Sequence, residues 1–127
     1  VEEDAVLDHA KAHFPDDVPA HALYEPGLRR LALGKTDDGN EVELVGVCDA
    51  KSDVAVYEIK RRKNKLFGAI PMYERVQLEA YLRLYDRYDG ALIEYHPTVG
   101  MALHWVERDD QLWESVEVEV LEALTQP

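Results

Sequence analysis

The apolar positions change period several times along the chain, and each change marks an element. In residues 2–14, Val6, Leu7, Ala10 and Phe14 recur three or four apart, which predicts a short helix with one apolar side. Pro15 and Pro19 break it, because proline lacks the amide a helix interior needs. Leu28–Lys35 and Val42–Asp49 flank the turn-forming run Thr36-Asp37-Asp38-Gly39-Asn40 and read as a hairpin. Lys51-Ser52-Asp53 then turns the chain into a third strand, Val54–Lys60. After a loop containing Gly68, Pro71 is placed to open a helix running to about Tyr88, ended by Asp89-Gly90. Ala91–His96 and Met101–Glu107 read as two more strands around Pro97 and Gly100. From Asp110 to Leu124 two periods compete. Trp113, Val116, Val120 and Leu124 keep helical spacing while Val116–Val120 alternates like a strand, and we read a helix. The order αβββαββα implies an α/β (α+β) fold, a central mixed β-sheet flanked by helices.

Spacing the 71–88 helix at about 100° per residue puts Tyr73, Leu78, Ala80, Leu82, Leu84, Tyr85 and Tyr88 on one broad face. Arg75, Glu79, Arg83, Asp86 and Arg87 fall opposite. Gln77 and Tyr81, four apart, lie within the apolar face. A buried glutamine needs hydrogen-bond partners, so this pair is expected to reach the sheet edge. A glutamine satisfied by backbone beside a plain core tyrosine is the simpler alternative.

Composition narrows the class. At 127 residues with 46% apolar content, the chain is expected to be one folded domain, 1–127, rather than a disordered segment. It opens at Val1 rather than methionine, as an excised domain would. The single cysteine, Cys48, excludes a disulfide framework or a cysteine-based zinc site, and an intracellular, reducing compartment (cytoplasm, nucleoid or nucleus) is the expectation. No apolar run approaches the ~18 residues of a membrane span, and no secretory signal is read. The net charge of -12 argues against a general nucleic-acid coat protein. Yet Lys60, Arg61, Arg62, Lys63 and Lys65 place five of fourteen basic residues in six positions, whereas Ala91–Pro127 carries eight acids and only Arg108. Such a ridge is either a solvated loop or the one edge that touches an anionic substrate.

The chemistry concentrates where two strands meet. Asp49 closes the apolar run Val45-Gly46-Val47-Cys48, and Glu58 and Lys60, two apart, project from one side of the next strand. A buried carboxylate without a partner is costly, so Asp49 needs a cation, a metal or a turn amide. Capping the Lys51-Ser52-Asp53 turn is its ordinary structural use. Two carboxylates with the Ile59 carbonyl suit Mg²⁺, a hard ion that takes few protein oxygens and keeps several waters. Such an ion acidifies water for in-line attack on phosphorus, and Lys60 can orient the nucleophile or offset transition-state charge.

Gly46-x-x-Asp49, Glu58-x-Lys60 and Gln77-x-x-x-Tyr81 together resemble the PD-(D/E)xK nuclease superfamily. The glutamine–tyrosine element is similar to its RecB-like and lambda-exonuclease-like branch. The motifs span about residues 41–85, and the element order extends the likeness over most of the chain. The resemblance implies a restriction-endonuclease-like core and Mg²⁺- or Mn²⁺-dependent, exonuclease-type cleavage of DNA phosphodiester bonds, in recombination, repair or viral genome processing; a catalytically inactive nuclease-fold DNA-binding or protein-interaction module is the alternative. It implies Asp49 and Glu58 as catalytic metal ligands with the Ile59 carbonyl, Lys60 as the catalytic lysine, and Gln77 and Tyr81 as support or DNA contact. The position before Asp49, often proline in that superfamily, is Cys48. A further metal ligand is expected on the first helix, where His13, His9 and Glu3 are candidates, with Glu25 beyond it. One cysteine excludes the iron–sulfur form of the branch. Arg61, Arg62, Lys63 and Lys65 are expected to hold the DNA backbone without reading sequence. DNA, in a homo-oligomer or a larger recombination or replication assembly, is the expected partner.

Overall fold

Alternation along one strand organises the molecule. The computed structural model describes residues 2–125. Its elements are α1 (Glu3–His13), β1 (Leu23–Tyr24), β2 (Arg29–Lys35), β3 (Glu41–Gly46), β4 (Ala50–Lys51), β5 (Ala55–Arg61), α2 (Met72–Leu84), β6 (Asp89–His96), β7 (Gly100–Glu107) and α3 (Asp110–Thr125). A five-stranded sheet runs β1-β4-β5-β6-β7 and is mixed, because β5 and β6 are parallel and the other pairs antiparallel. The fold class follows the expectation. Among the described residues, no helix is long and apolar enough to cross a membrane.

On β5, Ala55, Tyr57 and Ile59 face α1 and join Val6, Leu7, Ala10, Val18, Ala91 and Ile93 in one apolar cluster. Val56 points the other way, into a second cluster with Cys48, Leu78, Leu82, Leu84, Tyr85 and Leu92 under α2. Glu58 and Lys60 share the parity of Val56, so both emerge on the α2 side. The strand thus separates packing on one face from charge on the other.

The details depart from the sequence reading in four places. Leu28–Lys35 and Val42–Asp49 do form a hairpin, but β2 and β3 make a separate two-stranded sheet packed near α2 and α3. The second strand also stops at Gly46, and the chain re-enters the main sheet through two-residue β4. A Cβ at Gly46 would meet Tyr81 and Leu84 at 3.3 Å, so the hairpin approaches α2 closely there and a larger residue would have to push both side chains aside.

The helix expected to reach Tyr88 ends at Leu84. Asp86 adopts φ 51°, and its amide bonds to the Arg83 carbonyl while the Arg87 amide reaches Leu82 at 2.9 Å. This left-handed C-terminal closure stops the helix although Tyr85 and Tyr88 continue its apolar spacing. Asp89-Gly90 therefore opens β6 instead of ending the helix. Burial differs accordingly from the expected helix face: Tyr73 on α2 and Tyr88 beyond its end are exposed, whereas Glu79 is fully buried between Arg75 and Arg83 at 2.9 Å each. The C-terminal segment is helical, with Trp113 buried as its anchor.

Arg62 is the fourth correction. Its guanidinium forks onto both oxygens of Glu74 at 2.7 and 2.8 Å and bonds Glu94 at 2.9 Å through Nε. It also lies 3.7 Å over the Phe67 ring. Glu94 is fully buried and additionally accepts from the Phe67 and Gly68 amides and pairs with His104 at 2.7 Å. Burial alone would raise this carboxyl, but His104, the Phe67 amide and Arg62 together hold it below the usual range. Arg62 is thus the tie between the basic loop and α2, and its charge is spent inside the protein rather than on DNA. Arg62→Ala strands two buried carboxylates, and we expect a loss of about 3–5 kcal/mol in denaturant unfolding. Arg62→Lys will recover only part of it, because an ammonium cannot fork onto a carboxylate. A fully stable alanine variant would contradict this account.

Candidate active site

Asp49 and Glu58 meet through backbone as well as charge. The register Ala50↔Tyr57 carries Asp49 opposite Glu58 just where β4 ends. The Asp49 amide donates to Glu58 Oε1 at 3.2 Å, and the Ile59 amide donates to Asp49 Oδ2 at 2.7 Å. The Ile59 amide therefore points toward Asp49, and in extended backbone its carbonyl faces the same way. Lys60 Nζ stands 4.0 Å from Glu58 Oε2 and donates to Gln77 Oε1 at 2.8 Å. Asp49, Glu58, Ile59, Lys60, Gln77 and Tyr81 are thus gathered at one edge of the sheet. Gln77 is exposed rather than buried, and its partner is the lysine side chain.

The electrostatics record an excess of negative charge. Glu58 is only 3% exposed, and burial, reinforced by Asp49, pushes its carboxyl up to about 8. Burial and then Glu58 and Asp49 push the Tyr81 hydroxyl up to about 12, with Gln77 beside it acting in the opposite direction. Cys48 is likewise raised to about 12, chiefly by burial, and its thiol donates to the Ala50 carbonyl at 3.2 Å. It is an inert core group.

The first helix contributes a residue other than its histidines. Glu3 is raised by burial and then by the neighbouring charge of Asp49. Tyr24 donates to Glu3 Oε2 at 3.4 Å and is itself raised to about 12 by burial, Glu3, Glu25 and Asp49. His9 stacks on Tyr95 with centroids 6.3 Å apart, and His13 packs edge-on against Phe14 at 4.8 Å. The helix position facing Asp49 is therefore Glu3, one of the three candidates there, and not His9 or His13. The sequence signal was available: an acid in the first turn of a helix that precedes the sheet.

The donor set fits a hard divalent cation. Its members are carboxylate and carbonyl oxygens, and the buried Glu58 carboxylate lacks a full counter-charge. Among the described residues, no three His, Cys, Asp or Glu side chains are gathered closely enough to hold a metal alone. The pair leaves most positions to water or substrate, as Mg²⁺ prefers and zinc does not.

Beside this edge, Arg61, Arg62, Lys63, Asn64, Lys65 and Phe67 line a groove of about 310 Å³. Arg62 is committed to its carboxylates, and Arg61 lies close enough to Glu3 to lower it.

No protein-family model and no curated protein matches the chain. Solved structures do. The protein SSO0001 superposes with a TM-score of 0.69 at 20% identity, over 96% of this chain and 56% of that one. An alkaline exonuclease (LHK-Exo) from Laribacter hongkongensis gives 0.64 at 18% identity, over 96% and 66%. The same exonuclease in complex with dAMP gives 0.62 at 19%, over 96% and 65%. The chain therefore spans between about half and two thirds of the length of these structures. What is shared at such identities is the fold: this architecture is similar to that of a known exonuclease.

Proposed function

We propose that this chain is a metal-dependent DNA nuclease of exonuclease type, a phosphodiester hydrolase of the PD-(D/E)xK superfamily and its RecB-like or lambda-exonuclease-like branch. The observation that carries the reading is the convergence of Asp49, Glu58, Lys60 and Gln77 at one sheet edge. The fold shared with an exonuclease supports it, and the dAMP held by that exonuclease supports a deoxynucleotide as the ligand class.

Asp49, Glu58 and the Ile59 carbonyl would hold Mg²⁺ or Mn²⁺, with Glu3 adding negative charge beside Asp49. A bound ion would supply Lewis acidity toward water and the scissile phosphate. Lys60 acts from a fixed position. Gln77 accepts one ammonium hydrogen, and the remaining two are free to orient a water nucleophile or to meet charge growing on the phosphate oxygens. Tyr81 keeps its proton and serves as a donor beside the carboxylates. Arg61, Lys63 and Lys65 take the flanking phosphates, a salt-sensitive contact that offsets the repulsion of a chain carrying -12 overall.

Purified protein incubated with end-labelled single- and double-stranded DNA is expected to cleave with Mg²⁺ or Mn²⁺ and not with EDTA. Glu58→Ala is expected to lose that cleavage. DNA binding without cleavage in any metal would replace this reading with an inactive nuclease-fold binding module.

A further inference from the structure

Tyr73 and Met72 occupy the first turn of α2 and stand largely in water, 69% and 66% exposed. Scattered exposed apolar residues are ordinary, but these two are placed where others are not. Helix residues four apart share a face, so Tyr73, Gln77 and Tyr81 form one stripe along α2. Gln77 holds Lys60 Nζ at 2.8 Å, and Tyr81 feels Glu58 and Asp49. The stripe starts at the carboxylates and ends in the open at Tyr73.

Core packing does not account for Tyr73, since α2 buries Leu78, Leu82 and Leu84 instead. Among the described residues, its side chain makes no hydrogen bond, ion pair or ring contact. Its backbone is nonetheless fixed. The next residue, Glu74, is 3% exposed and gripped by the Arg62 fork, which ties the Lys63–Lys65 loop to this same turn. An aromatic ring on a rigid turn, with cations on the adjoining loop, loses little freedom when a flat ligand stacks on it.

We propose that Tyr73, flanked by Met72, is the stacking platform for an unpaired nucleobase of the strand being cut. The site then takes a whole nucleotide, with its phosphate at Asp49–Glu58–Lys60 and its base on Tyr73. This rests on the nuclease reading above. Every base has a π-face, so the platform confers no sequence preference. It favours single-stranded or frayed ends, because a base inside a duplex is already stacked on its neighbours.

The test uses a short single-stranded oligonucleotide carrying 2-aminopurine, with Ca²⁺ in place of Mg²⁺ for binding and Mg²⁺ for cleavage. Wild type, Tyr73→Phe and Tyr73→Trp are expected to quench the fluorophore, while Tyr73→Ala loses the quench and binds about tenfold more weakly. An abasic oligonucleotide should bind wild type and Tyr73→Ala alike. Equal affinity and equal quenching in Tyr73→Ala overturn the platform, as does a wild type that binds no oligonucleotide. Tyr73-dependent binding without cleavage in Mg²⁺ overturns the nuclease reading alone. Cleavage and binding both indifferent to Tyr73 overturn the platform and leave the nuclease standing.

Discussion

Lys60→Ala is expected to lower the rate of DNA cleavage by about a thousandfold while the protein stays folded. The size follows from what a single preorganised donor contributes at a phosphoryl centre, roughly 10²–10³ in rate. The selectivity follows from position. Lys60 is at the outer end of β5, its side chain a quarter exposed, with Gln77 and Glu58 as its described partners. Removing it opens no cavity, and Glu58 retains the Asp49 amide. Arginine at this position should not rescue, because its planar fork will not occupy the place of a compact ammonium. The measurements are turnover on labelled DNA beside thermal unfolding. Wild-type turnover in Lys60→Ala would remove the lysine from the mechanism.

The second large effect is on stability and runs with pH. Glu58 titrates near 8 in the folded, metal-free chain but near its ordinary 4.5 when unfolded. Between those values the folded state holds a proton that the unfolded state has released, so stability falls as pH rises across that window. Each pH unit of difference corresponds to about 1.4 kcal/mol, so the total amounts to several kcal/mol. Glu3 is raised as well and pulls in the same direction. Glu94 is lowered, so its contribution disappears only on acidification below about 4.5, a separate window. Metal-free Glu58→Gln should therefore be more stable than wild type at pH 8 and should show a flatter profile from pH 5 to 8. Mg²⁺ must displace the Glu58 proton, so its affinity for wild type should rise over the same range. A wild type whose metal-free stability increases from pH 5 to 8 would contradict the burial of an unneutralised carboxylate at this edge.

Much of this was legible because strand parity is written in the sequence. Glu58 and Lys60 had to share a face whatever the tertiary structure, and the turn before them had to return Asp49 to their neighbourhood. The four-residue spacing of Gln77 and Tyr81 was equally plain. Other features depend on contacts made far along the chain. Arg62 looks identical to its neighbours in a basic run, and only Glu74 and Glu94 distinguish it. Glu94 did leave a trace, since an acid following Ala91-Leu92-Ile93 poses the same question of a partner that Asp49 posed. The early end of α2 was hidden because Tyr85 and Tyr88 continue an apolar period while the backbone at Asp86 does not. Two-residue β1 and β4 are too short to show any period.

The two faces of β5 also have different histories open to them. Substitutions among Ala55, Tyr57 and Ile59 are judged against α1 by volume and shape, whereas those at Glu58 and Lys60 are judged by charge. Because neighbours on a strand point apart, drift in the α1-side core can proceed without moving the carboxylate and the ammonium. An inserted or deleted residue in β5 has no such freedom, for it would turn Tyr57 toward the charged face and drive a carboxylate into the apolar layer. Lineages carrying this strand can therefore diverge widely in sequence while holding its length fixed.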